Sequence, residues 1–200
     1  MRQQMDINFW SCVDMAHAVL NAWLSPTSSS KGSERHLIFT SSVVAFIPIV
    51  GYGPYSPGKA AIKSLSDTLA QEVLLYGEDV KIHTVFPGNI LTPGLENENK
   101  TKPGITHKLE EADPSQMPDD AAAKAIKGLE RGEYLVTLTW LGALMRGLAW
   151  GGSAKNNWLI DSIVSWVAGI IWAFVGMDLD GKVKAYGKLH GHPSTYAKKT

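Results

Sequence analysis

Two short apolar runs, Leu37-Ile-Phe-Thr40 and Val80-Lys-Ile-His-Thr-Val-Phe86, bracket a segment in which Ile62, Leu65, Leu69, Val73 and Leu74 recur with the period of a helix. Strands joined through a helix return to the same end of a sheet, so the order strand, helix, strand predicts parallel pairing and an α/β fold. The first run is short and apolar throughout, which predicts a strand buried on both faces. The helix is expected over residues 60–76 with Gly77 as its stop, and the second strand ends at Pro87-Gly88. Ahead of this unit, Ile7, Trp10, Val13, Ala16, Leu20 and Trp23 are helix-spaced, and residues 25–35 form a polar, turn-rich loop. Residues 89–118 carry Pro93, Pro103, Pro114 and Pro118 and are expected to form a mobile flap. A further helix opens near Asp119 and covers residues 121–129.

The last third has a different character. Residues 158–177 hold only Asp161, Ser162 and Ser165 as polar interruptions, and a helix of about twenty residues spans roughly 30 Å, the thickness of a bilayer core. This predicts a membrane-associated segment. A second apolar stretch, residues 135–150, contains Arg146, which costs about 2.5–3.5 kcal/mol at mid-bilayer; it reads equally well as a membrane segment or as a strand followed by a helix. Lys182, Lys184, Lys188, Lys198 and Lys199 follow, and such charge stays on the cytosolic side. Arg2, Asp6 and Asp14 interrupt the only N-terminal candidate for a secretory signal. Nineteen basic residues balance nineteen acidic ones, which excludes a footprint for nucleic acid. The single cysteine, Cys12, allows neither an internal disulfide nor a cysteine-based zinc site, and no other metal site is expected.

Tyr55-Ser-Pro-Gly-Lys59 places a phenol and an ammonium four residues apart at the start of a helix. The cation and the positive helix end both favour tyrosinate, so the phenol is expected below its usual value of about 10, in the range of a general acid. Ser42 stands thirteen residues earlier, at the end of the first strand, where a hydroxyl can bond the substrate oxygen that Tyr55 protonates.

Strand, Ser42, Tyr55-x-x-x-Lys59, amphipathic helix, strand and Pro87-Gly88 together resemble the catalytic half of the short-chain dehydrogenase/reductase family. The resemblance implies the C-terminal part of a Rossmann-like, doubly wound parallel sheet. It also implies proton donation by Tyr55, support of the substrate oxygen by Ser42, and a Lys59 that lowers the phenol and holds the nicotinamide ribose. Asn8 would position a water in a proton relay, and Pro87, Gly88, Ile90 and Thr92 would contact the nicotinamide; Thr92 reads equally as a helix cap. The segment from Pro87 to Pro103, with the apolar stretches after it, is similar to membrane-bound members that reduce a long-chain sphingoid ketone with NADPH at the cytosolic face of the endoplasmic reticulum. That similarity implies membrane lipid as a neighbour and a homo-oligomer formed through the helices of the catalytic half. No Gly-rich turn of the pyrophosphate-binding kind occurs, since Gly51-Tyr-Gly53 lies in a loop before Tyr55 and lacks the third glycine and the βαβ unit that should follow. The expected division is therefore residues 1–133 as a catalytic half without its nucleotide-binding partner, 134–177 as apolar and membrane-associated, and 178–200 as a basic cytosolic end. Two alternatives stay open: a catalytically silent membrane fragment, and a reductase of another lipid or sterol ketone.

Overall fold

The computed structural model describes residues 1–25, 33–76, 79–111, 115–151 and 153–190 of the 200. Most of the expected polar loop, Gly77 and the last lysines lie outside the described residues. Three strands form one parallel sheet in the order β1 (Arg35–Thr40), β2 (Val80–Phe86), β3 (Leu135–Thr137). β1 pairs with β2 from Arg35 opposite Val80 to Thr40 opposite Val85, and β2 with β3 from Thr84 opposite Leu135 to Phe86 opposite Thr137.

Helices cover both faces of the sheet. On one face Ile82, Phe86 and Leu135 pack against Ala16 and Leu20 of α2 (Ser11–Leu24) and Ile62 of α3 (Ser56–Glu72). On the other, Val85 and Val136 meet Ala121, Ala125 and Leu129 of α6 (Pro118–Glu130). Alternate residues of β2 therefore enter two cores, as a doubly wound sheet requires. β1 differs from expectation: Phe39 is buried, but Ile38 is 44% exposed, because no described helix covers that face at this edge.

α1 (Arg2–Met5) runs into α2 through one wider turn at Asp6–Trp10. α3 begins four residues earlier than the apolar spacing suggests. Pro57 falls in its first turn, where the missing N–H costs nothing, and a tight turn at Val73–Tyr76 ends it. The stretch read as a flap holds two short helices, α4 (Pro93–Asn99) and α5 (Gly104–Glu110). α6 lies so close to β3 that a Cβ on Gly128 would sit 2.5 Å from Val136 Cγ1. Gly128→Ala should therefore force α6 outward at a net cost of about 1–3 kcal/mol despite alanine's better helix propensity. Urea unfolding would expose the error if the variant were as stable as the parent.

Of the two readings of residues 135–150, the structure takes strand plus helix: β3 is followed by α7 (Trp140–Leu148), whose first turn is capped by Thr139 accepting from Gly142 N at 3.0 Å. α8 (Trp158–His190) then runs for 33 residues, with a mean hydropathy of 1.8 in its apolar window, only 11% of which is buried. It is therefore no core helix. Its approach to α7 is close at Gly147, where a Cβ would lie 2.9 Å from Val164 Cγ1. Arg146 of α7 donates to Leu135 O at 2.7 Å and pairs with buried Asp161 of α8 at 3.6 Å.

Candidate active site

Beyond the end of β1 the backbone stays bonded to its neighbour, Ser41 N to Val85 O at 2.8 Å, and Ser41 and Ser42 bring two hydroxyls into the interior. Ser41 Oγ donates to Lys59 O at 2.8 Å, tying the end of β1 to the first turn of α3. Ser42, in extended backbone, caps the short turn Val43–Ala45 and donates to Pro87 O at 3.4 Å. Tyr55, the residue that precedes α3, borders the same space as Ser42. One turn on, Lys59 is 9% exposed; its Nζ donates to Thr40 O at 3.1 Å and lies 5.4 Å from the centre of the Tyr55 ring. Ser42, Tyr55 and Lys59 thus converge because β1 and α3 meet at their neighbouring ends.

The expected charge logic is corrected here. The Tyr55 phenol is pushed up to about 12, chiefly by burial and then by the Glu98 carboxylate, while the Ser42 hydroxyl pulls it down. Lys59 lies over the ring face and spends a proton on Thr40 instead of facing the phenol oxygen, and burial holds its own ammonium below the ordinary lysine value. Glu98 belongs to a network that the sequence reading missed. Tyr52 donates to Glu98 Oε1 at 3.0 Å and to Glu110, and Lys102 Nζ bonds Glu98 at 2.9 Å and Glu110 at 2.8 Å. The four-residue spacing of Glu98 and Lys102 was the available signal, had α4 been recognised. Burial, and then the Glu110 and Glu98 carboxylates, push the Tyr52 phenol well above its usual range. Glu98→Gln should lower the Tyr55 phenol towards 10. A ¹³C-tyrosine titration that left its resonance unmoved would show that the carboxylate does not act at that distance.

Pro87, Gly88, Ile90 and Thr92 follow β2 along one wall. Val43 N donates to Pro87 O at 3.0 Å, Leu91 N to Gln116 O at 2.9 Å, and Gln116 N to Asn89 O at 2.9 Å, so the segment is pinned on both sides. Thr92 is the cap of α4, accepting from Leu95 N at 3.2 Å. All four line a cavity of about 1000 Å³ together with Ser42, Tyr55 and Lys59. Asn8 stands outside it: its amide donates to Gln4, and its Cβ packs beside Gly58, 3.6 Å from where a side chain there would begin. Gly51 is no part of a phosphate-binding turn; its positive φ and close approach to Thr106 seat this loop on α5.

A nicotinamide ribose and carboxamide suit these donors. The Lys59 ammonium has protons to spare beyond Thr40, the Tyr55 and Ser42 hydroxyls flank it, and backbone of the 87–92 segment borders the same space. A carbonyl oxygen held within about 3 Å of the Tyr55 and Ser42 hydroxyls would meet a protonated acid and a second donor at neutral pH.

The model of the family described as short chain dehydrogenase matches residues 1–103, just over half of the chain. A 3-ketodihydrosphingosine reductase of Neurospora crassa is 44% identical over 201 residues, covering 99% of this chain and 56% of its own length. One from Aspergillus fumigatus is 42% identical over 214 residues, covering 99% and 58%. The chain thus spans a little over half the length of these curated relatives. Among solved structures, a Burkholderia cenocepacia short chain dehydrogenase in complex with NADP aligns with a TM-score of 0.57 at 21% identity, over 74% of this chain and 54% of that one. One from Streptomyces avermitilis aligns with a TM-score of 0.55 at 21% identity, over 88% and 62%. Both share the fold. With the family's pattern matched through Pro103 and a parallel sheet carrying Ser42, Tyr55 and Lys59 to one cavity, this chain belongs to the short-chain dehydrogenase family.

Proposed function

We propose that this chain is the catalytic half of an NADPH-dependent reductase that converts the ketone of 3-ketodihydrosphingosine to the alcohol of dihydrosphingosine. The observation that carries it is the convergence of Ser42, Tyr55 and Lys59 on a cavity whose far wall is an exposed apolar helix, in a chain whose 44% and 42% identical relatives bear that enzyme's name. When bound, the nicotinamide supplies hydride to the carbonyl carbon. Tyr55 gives its phenolic proton to the carbonyl oxygen, and Ser42 donates a hydrogen bond to the same oxygen as charge develops there. Lys59 holds the ribose hydroxyls and offsets the charge left on the phenolate. Pro87, Gly88, Ile90 and Thr92 border the nicotinamide carboxamide. Asn8, outside the cavity and bonded to Gln4, would act only through a water that its amide helps to position.

In this reading residues 1–133 are catalytic, 134–177 bring the membrane contact through α8, and 178–200 keep their basic side chains in the cytosol at the endoplasmic reticulum. The exposed residues of α2 and α3 serve a homo-oligomer. Holding the reaction at the membrane suits a long-chain ketone, since each methylene kept out of water is worth about 0.8 kcal/mol. A second reading, a silent membrane module, draws on the chain's spanning only 56% and 58% of its relatives.

The test joins this chain to the N-terminal half of a relative and offers NADPH or NADH with 3-ketodihydrosphingosine or a sterol ketone. Turnover of the sphingoid ketone with NADPH supports the proposal. Turnover of the sterol alone moves the substrate elsewhere, and turnover of neither ketone leaves the silent module.

A further inference from the structure

α8 turns one narrow stripe towards the protein and the rest of its surface outward. The inward residues Asp161, Val164, Ala168, Trp172, Val175 and Leu179 recur at steps of three and four, as one face of a helix does. Their neighbours change along the helix. Val164 and Ala168 meet α7 at Gly147, and Tyr186 ends the stripe against Gly104 at the start of α5, its hydroxyl 2.7 Å from where a Cβ there would be. Between these two contacts Trp172 packs against the core cluster, and Trp172, Val175, Leu179 and Val183 line the cavity that Tyr55 also lines. The outward face is apolar as far as Met177, with Trp166 73% and Phe174 67% exposed, and becomes charged at Asp178. The cavity-lining residues straddle that change, so the cavity opens at the level where apolar surface gives way to charge, as it does at a membrane surface.

We propose that Trp172, Val175, Leu179 and Val183 bind the alkyl chain of the ketone, so that the helix that faces lipid on one side is the substrate's chain-binding wall on the other. This rests on the reductase reading above for the ketone itself. Ser42, Tyr55 and Glu98 give the cavity polar groups, and α8 lines it with Trp172, Val175, Leu179 and Val183 beside the charged Asp178, Asp180 and Lys182, so an amphiphile with its carbonyl at Tyr55 can lay its chain along these four apolar side chains. A chain entering sideways from the leaflet never crosses water, and transfer from lipid to this wall leaves its apolar burial intact. α7 and α5 clamp the two ends of the wall, leaving the stretch between them to face the ligand.

The test uses the 200-residue chain in lipid nanodiscs with 3-ketodihydrosphingosine bearing a diazirine at the far end of its chain. A matched long-chain amine without the ketone serves as the second probe. After irradiation, label is expected on Trp172, Val175, Leu179 or Val183 and is competed by excess unlabelled ketone. Val175→Trp with Leu179→Trp fills the wall and should cut this labelling about tenfold, what the loss of roughly two methylene burials produces. Label confined to outward residues such as Trp166 and Phe174, insensitive to competitor, overturns the proposal and leaves α8 an anchor. So does label no higher than on the heat-denatured chain. Competed capture of both probes on the inward residues upholds the wall even if ketone reduction fails in the joined protein. Ketone reduction without inward labelling upholds the reaction and sinks the wall.

Discussion

Tyr55→Phe in the chain joined to a nucleotide-binding half is expected to lower the rate of ketone reduction by about 10²–10⁴-fold, the range a positioned general acid contributes, with little change in KM. Phenylalanine keeps the ring that packs under Lys59 and removes only the phenolic hydroxyl. Ser42→Ala, which removes one donor to the developing oxyanion, should cost about 10²–10³-fold and add little on top of Tyr55→Phe, because the two hydroxyls serve one oxygen. A second readout needs no activity. Tyr55 titrates at about 12 in the folded chain and near 10 when unfolded, so its contribution to stability is fully present below pH 10 and is lost as the pH rises from about 10 to 12. The phenylalanine variant lacks this loss and should show the flatter stability curve there. Lys59, held below its ordinary value, titrates in the opposite sense but is common to both proteins. Reduction at wild-type rate by the variant would remove Tyr55 from the chemistry; identical alkaline curves would show that its phenol is not buried as described.

How far the sequence foretold these features depends on what each one rests on. β2 was legible to the residue, because a short apolar run and its stop at Pro87-Gly88 are local signals. So was the convergence of Ser42, Tyr55 and Lys59, because a parallel strand–helix–strand unit brings the strand end and helix start to one place. The exposure of Ile38 was not, since an apolar run says what a strand can bury and not what lies over it. The flap was misjudged for a related reason. Pro93 opens α4 and Pro103 directly precedes α5, so these prolines start helices where they were read as breaking structure. The burial of Tyr55 was hidden in the sequence and, with α4 unseen, so was Glu98 beside it, so the sign of the phenol's shift came out wrong. The inward stripe of α8 was hidden differently. A segment apolar on all sides carries no periodic signal, and the stripe shows only once α7 and the cavity are in position.

Arg146 shows what such hidden partnerships are worth. In sequence it is a charge in an apolar stretch; in the fold it lies against the Trp150 ring, bonded to Leu135 O and paired with Asp161, which is 4% exposed. Asp161 also accepts from Asn157 N at 2.8 Å, while Asn157 Oδ1 accepts from Leu159 N and Ile160 N, so one carboxylate both closes the first turn of α8 and fixes that helix to α7. Asp161→Ala leaves a largely buried guanidinium whose one remaining carboxylate partner among the described residues is Glu133, at 3.9 Å. The expected loss is about 3–5 kcal/mol, or roughly 6–20 °C in the melting temperature of a chain this size in detergent. Replacing both partners, Asp161→Leu with Arg146→Met, should recover most of that loss, because the cost comes from stranding a charge and an apolar pair strands none. A double variant no more stable than Asp161→Ala would instead place the loss in the missing helix cap. Either way the pair sets where α8 leaves the body, so the single variant should also loosen the cavity wall around Trp172 and Val175, which a fall in hydrogen-exchange protection across residues 172–179 of α8 would report.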